Sequence, residues 1–230
     1  MFDNKYFGII LTFATYEIGK FINSKLKTPL ANPLLISIAL CIAFLKVTGI
    51  SYEDYKIGGD FIMFFIAPAT VAMVVDLFEN FGELKKNLVP VLMGTILGSV
   101  ISILFAIIAS KITGLNENLV VSSIPQTITT AIAMPLTEEY GGNSSITAVL
   151  VVLRGVSGAV MASIIMKVFK INDPTAAGVA IGTSSHAVGT SEARKLGEIE
   201  GAMSGLSIAM AGLVTVLLMP FAMELVNLFF

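Results

Sequence analysis

Cysteine and histidine occur once each, as Cys41 and His186, tryptophan is absent, and only 13% of the 230 residues are charged. A lone cysteine excludes an internal disulfide and a cysteine metal cluster. One histidine without a second soft ligand leaves no basis for a metal site. No basic stripe is present, so nucleic acid is not an expected partner. Strand alternation is missing, which argues against a β-barrel. No Gly-rich phosphate loop, G-x-S-x-G elbow or H-E-x-x-H occurs, so no enzyme is expected and no cofactor is implied. Ser184 and Ser185 adjoin His186 in sequence, but adjacency does not supply the geometry of a nucleophile and its base. The start, MFDNKYFGII, lacks a cationic segment with a following cleavage site, so the first apolar run is expected to be retained.

What the chain has instead is apolar residue in long runs. Hydrophobic residues make up 55% and the mean hydropathy is +0.88, whereas about a quarter of a soluble domain is charged. Runs at residues 6–22, 61–78, 88–112, 146–168 and 206–230 are each near the length of a bilayer crossing; the run at 34–47 is short, but flanking Lys46 can snorkel. The expected fold is all-α: one polytopic membrane domain over residues 1–230, with six or seven transmembrane helices and broken or re-entrant segments.

Three of the apolar segments are interrupted. Residues 61–78 contain APAT around Pro68; residues 119–142 contain Pro125, Pro135 and many hydroxyls; residues 178–205 pass through TSSHAVGT. Proline removes a backbone donor and clashes with the preceding turn. Opened backbone at membrane depth is tolerated only where protein buries it or water reaches it. The middle segment reads as a broken helix or a re-entrant hairpin. In the fourth run Gly94, Gly98 and Ser102 recur every four residues, a stripe that lets a neighbouring helix approach closely.

Residues 33–112 and 146–230 share a weak pattern, KVTGI beside KVFKI, each followed by a broken helix. With three crossings apiece such units form an inverted repeat, and interrupted helices at matching places point to a transporter site. Charge favours placing Lys85, Lys86, Lys167 and Lys170 on the cytoplasmic side. Arg194 and Lys195 then face outward if residues 178–205 span the membrane; re-entry of that segment would remove the conflict.

The candidate site residues follow from the breaks. Thr70, Gln126, Thr127, Thr129, Thr130, Ser184, Ser185 and Thr190 are donors and acceptors that, with half-helix amides, suit a small carboxylate; the plainer reading is that they satisfy freed backbone. His186 suits a proton relay or an anion contact, or simply braces broken backbone. Arg154, at mid-run, needs an anionic partner: Asp60, Asp76, a glutamate or a bound carboxylate. Asp76 is either an ion site or an interfacial helix end. Glu138 and Glu139, before Gly141-Gly142, read as solvated loop residues.

The motifs YFGIILT, NPLLI, ISYEDYKIGGD, APATVA, PQTITTAIAMP, INDPTAAGVAIGTSSHAVGT and ARKLGEIEGAMS together resemble the LrgB/CidB antiholin-like family, over essentially the whole chain. The resemblance implies a multi-pass protein of the bacterial cytoplasmic membrane, in a homo- or hetero-oligomer with a small LrgA/CidA-like membrane partner. It carries two functional expectations. One is carriage of small monocarboxylates of the pyruvate, glycolate or glycerate type, as in a related plastid glycolate/glycerate translocator. The other is antiholin-like regulation of murein hydrolase export and cell lysis. Two residues depart from the family pattern: it commonly has proline near Asp76, and a small polar residue at Arg154. Neither charge is therefore a family element, and either would tune substrate or partner choice in this chain.

Overall fold

The computed structural model describes residues 4–26, 31–65, 68 and 81–230, which are α-helical without a strand. The chain divides into two compact units, Met1–Ala69 and Thr70–Phe230. In the first, α1 (Lys5–Leu26) packs against α2 (Pro33–Thr48) and α3 (Tyr52–Met63). Asn32 caps α2 by accepting from the Leu34 amide, with Pro33 in the first turn, where a missing N–H costs nothing. Gly49, at φ 70°, ends the helix. Gly8 and Gly58 bring α1 and α3 together backbone to backbone: a Cβ on Gly58 would stand 2.6 Å from Gly8 Cα. Buried Thr15 hydrogen-bonds with Ser37 at 2.9 Å and Cys41 at 3.1 Å, so the lone cysteine works in helix packing.

The second unit runs α4 (Phe81–Lys86), α5 (Leu88–Thr113), α6 (Glu117–Ser123), α7 (Thr130–Glu139), α8 (Ser144–Val168), α9 (Pro174–Leu196) and α10 (Glu198–Phe229). Among the described residues, α5, α8 and α10 have the length and apolarity to cross a membrane, and α2 is apolar but shorter. That is three crossings by length and composition, against the six or seven expected. Of the other three expected runs, 6–22 forms α1, which is not among the helices apolar enough to cross, 34–47 forms the shorter α2, and 61–78 lies largely outside the described residues.

The first hairpin is α6 and α7. Asn116 caps α6 through the Leu119 amide, and α6 rises only about 10 Å before it ends. Its base is then tied to the far end of α7: Asn118 Nδ2 donates to Gly141 O at 2.7 Å, and the Asn143 amide donates to Ser122 Oγ at 2.8 Å. Thr147, at the start of α8, donates to Ser122 O at 2.8 Å. The chain therefore leaves on the face by which it entered. Of the two forms expected for residues 119–142, a broken helix or a re-entrant hairpin, the chain adopts a hairpin.

The second hairpin is α9, folded at His186, which sits at φ 40°, ψ −143°. A straight helix would place residues 178 and 194 about 24 Å apart. Instead both meet the first turn of α10: a Cβ on Gly178 would stand 2.7 Å from Met203 Cβ, and one on Gly201 would stand 2.7 Å from Arg194 Cγ. Thr190 Oγ1 lies 2.7 Å from Ser204 Oγ, and a Cβ on Gly182 would stand 2.8 Å from Ser204 Cα. Residues 174–185 thus form an inward limb and 187–196 a returning one.

The long helices set the direction of each hairpin. Helix α5 ends where α6 begins; α8 crosses to the opposite face, where α9 enters, leaves and hands over to α10. Helix α10 returns to the first face, where Lys111 Nζ contacts Phe229 O. The order in the unit is therefore long helix, hairpin, long helix, hairpin, long helix, with the hairpins entering from opposite ends of the long helices. The APATVA segment, which the sequence comparison of residues 33–112 with 146–230 paired with SSHAVGT, lies outside the described residues except for Pro68. The hairpin form of α9 also brings Arg194 and Lys195 back to the face of Lys167 and Lys170, which removes the charge conflict of a spanning segment.

Lipid is as apolar as a leucine side chain, so helices in a membrane associate through close packing and buried polar contacts. The glycine stripe of α5 meets α9 in this way: a Cβ on Gly94 would stand 2.5 Å from Val179 Cγ1, and one on Gly98 would stand 2.7 Å from Thr183 Cγ2. Helix α8 admits the tip of α9 at Gly155, where a Cβ would meet His186 Cε1 at 2.5 Å, and at Gly158, where it would meet Ser185 Cβ at 2.6 Å. A separate apolar core (Ile107, Ile124, Ile128, Val151, Met219) joins α5, the first hairpin, α8 and α10.

Candidate functional site

Both hairpin tips reach α8 near its middle, and beside them lies a cavity of about 820 Å³. Helix α5 supplies one wall with Ile101, Ser102 and Phe105, and α9 the other with Val179, Ala180, Thr183 and Ser184. Thr127 from the first hairpin and Arg154 from α8 close the inner end; Asn87, Asp173 and Thr175 stand at the end where α5 and α9 begin. A smaller space of about 180 Å³ runs between α8 and the inward limb of α9 and shares Arg154, Ala180 and Ser184 with the first.

Arg154 is the charged side chain at the inner end. The fold at His186 frees carbonyls from the last turn before it, and Arg154 Nε donates to that of Ser184 at 3.2 Å. Among the described residues this is its only hydrogen bond, and no carboxylate ion-pairs with it. The expected protein partner, an acid at Asp60 or a glutamate, is not found among the described residues. Asp76 lies outside them. A cation at the middle of a span costs about 2.5–3.5 kcal/mol on insertion scales. It is half-buried here, with both terminal amino groups unmatched beside an open cavity. A planar fork of that kind is complementary to a carboxylate.

Three of the predicted site residues, Thr127, Arg154 and Ser184, line the larger cavity together. Ser185 lines the smaller one and lies 3.0 Å, Oγ to Oγ, from Ser184. His186 is buried, lines neither cavity, and makes a 2.8 Å hydrogen bond from Nε2 to Val151 O. Thr190 is likewise set in packing, donating to His186 O at 3.1 Å and meeting Ser204. Thr129 stands at the N-cap of α7, buried, with Oγ1 lacking a partner. Gln126 and Thr130 belong to the same turn but line neither cavity. Thr70 and Asp76 lie outside the described residues. Glu138 and Glu139 end α7.

Sequence reasoning passed over Thr183, Ser102, Thr175 and Asp173 as site residues. Thr183 is the most telling, since its Oγ1 is buried without a hydrogen-bond partner among the described residues and the residue lines the cavity. The available signal was helical spacing: 176, 179, 180, 183 and 184 share one face of the inward limb of α9, as 94, 98, 101, 102 and 105 do in α5.

The model of the LrgB-like family matches residues 12–225. The antiholin-like protein LrgB of Bacillus subtilis (strain 168) is 39% identical over 223 residues, covering 96% of each chain. Proteins of the same name from Bacillus cereus (strain B4264) and Bacillus anthracis (strain CDC 684 / NRRL 3495) are 35% identical, over 96% of this chain and 97% of theirs. No solved structure matches.

Proposed function

Because this chain belongs to the LrgB-like family, we propose that it is an antiholin-like membrane protein that regulates murein hydrolase export and cell lysis. The observation that carries the reading is similarity along nearly the whole chain to proteins named antiholin-like. It acts in the cytoplasmic membrane of a bacterium, crosses it several times, and works with a small LrgA/CidA-like membrane protein. The face bearing Lys85, Lys86, Lys167, Lys170, Arg194 and Lys195 is cytoplasmic, since Lys- and Arg-rich short loops stay inside. The test is a deletion strain. Loss of the gene raises extracellular murein hydrolase activity and the autolysis rate, and resupply restores both. Unchanged autolysis in the deletion strain removes the reading.

A second reading is favoured by one observation, the unmatched Arg154 amino groups at the inner end of the cavity. On it the protein is a carrier of small monocarboxylates, with the carboxylate on Arg154 and the hydroxyls of Thr127, Thr183 and Ser184 beside it. Opposed hairpins meeting near mid-membrane suit alternating exposure of such a site. Proteoliposomes holding the protein, with and without its partner, accumulate labelled pyruvate or glycolate saturably. Absence of uptake across several such acids in both preparations removes the carrier reading. Arg154→Gln separates the two: on the carrier reading it abolishes uptake, and it leaves autolysis control intact if that control is independent of the cavity.

A further inference from the structure

We propose that the Arg154 cavity takes a monoanionic amphiphile, a carboxylate bearing an apolar chain of several carbons. This rests on the carrier reading of the cavity and deepens it by naming the ligand class. Three features of the site carry it.

The first is size. Pockets of about 300–1,000 Å³ hold ligands that are drug-sized, and this one is about 820 Å³. An acid the size of pyruvate, with about six non-hydrogen atoms, would leave most of such a space unfilled.

The second is charge. Among the described residues, Arg154 is the one cation lining the cavity and Asp173 its one acid, at the far end. A single carboxylate pairs with the guanidinium. A second anionic group further along would meet no cation and would approach Asp173, so a dicarboxylate is disfavoured.

The third is the lining between those poles. From Ser184 toward Asp173 the α9 wall passes Ala180, Val179 and Ala176, with Thr183 and Thr175 as its hydroxyls, and Pro90 and Ile101 of α5 also line the cavity. A chain anchored on Arg154 runs along apolar surface for two turns of α9, about 12 Å. Among the described residues, polar substituents on that chain would meet polar side chains only near Thr183, Ser102, Thr175 and Asn87, and each buried without a partner is unfavourable.

The experiment measures scintillation-proximity binding of radiolabelled straight-chain 2-oxo acids of three to eight carbons to the full chain in nanodiscs, with empty nanodiscs as blank. In the wild type Kd falls about three- to four-fold per added methylene, the factor set by burying one CH2. Arg154→Gln weakens every member of the series at least ten-fold. Ala180→Phe fills the channel one helical turn from Ser184 and abolishes the gain from longer chains. Circular dichroism and thermal unfolding check that both variants are folded. Should binding need Arg154 yet stay flat with chain length, the ligand class is wrong while the carrier reading stands. Should longer acids bind better equally in Arg154→Gln and in empty nanodiscs, the gain is membrane partitioning and the proposal falls. Should no acid bind saturably, both fall.

Discussion

Residues 117–139 and 174–196 both turn back within the second unit, but the first uses the six residues 124–129 for its turn while the second pivots on His186 alone. The longer turn avoids strained backbone and is tied down at its base, where Asn118, Ser122 and Thr147 link α6, α7 and α8. It leaves a buried hydroxyl, Thr129 Oγ1, without a partner. The shorter turn concentrates its strain. A non-glycine residue at φ 40°, ψ −143° lies in a region where the cost is about 1–3 kcal/mol. That conformation persists because the surroundings hold it: Val151 O accepts the hydrogen bond from His186 Nε2, and Gly155, Gly158, Gly178 and Gly182 let both limbs sit against α8 and α10. A loop can make a hairpin by local chemistry; a single residue does so only with tertiary support.

The sharpest way to break this comparison is to measure the length of α9. Spin labels at Thr175 and Leu196 would be about 32 Å apart along a straight helix. The hairpin brings their backbones to the same face of the unit, and double electron–electron resonance should give a main distance below about 20 Å. A peak at the longer distance would remove the second hairpin and the cavity wall built on its inward limb.

Next in size is Gly182→Leu. A Cβ there would meet the backbone of Ser204, with Cα at 2.8 Å, and no rotamer change relieves a clash with backbone. Overpacking of this kind costs about 1–3 kcal/mol or more, so the variant should lose most folded yield in size-exclusion profiles. Gly205→Leu, where a Cβ meets nothing within 4 Å, is the matched control and should behave as the wild type.

The smallest expected effect separates strain from hydrogen bonding at the pivot. His186→Ala loses the bond to Val151 and keeps the disfavoured φ, and should destabilise by about 1–3 kcal/mol. His186→Gly loses the same bond but relieves the backbone, and should be more stable than the alanine variant by about 1 kcal/mol. Equal unfolding midpoints for the two would show that the backbone at position 186 is not strained. Neither change removes a cavity-lining group, so binding of a ligand at Arg154 should weaken only as the fold does.

The two hairpins were unequally legible. Residues 119–142 announce theirs through Pro125, Pro135 and a hydroxyl-rich stretch, which is local information. The fold at His186 shows in sequence only as a run of small and polar residues. Its direction was hinted at by Arg194 and Lys195, whose charges fit poorly on the opposite face. Among the site residues, Arg154 stood out because a cation in an apolar run demands an explanation. Thr183 did not, because a threonine in a small-residue helix is ordinary until a neighbouring helix gives it a buried hydroxyl without a partner. His186 drew attention by being unique, yet it serves the turn; uniqueness in composition says nothing about which way a side chain faces.

Composition and run length alone dictated an all-helical membrane protein, because nothing else buries so much apolar residue with so little charge, and no other secondary structure satisfies the backbone of such runs. They dictated where helices break, through proline and small polar residues. Which broken helices span and which return was decided only by tertiary packing, since a turn-back depends on where glycines find a neighbouring backbone. The same packing decided that Arg154, Thr127 and Ser184 share one cavity while His186 and Thr190 do not, because residues tens of positions apart meet only once two hairpins enter the unit from opposite faces.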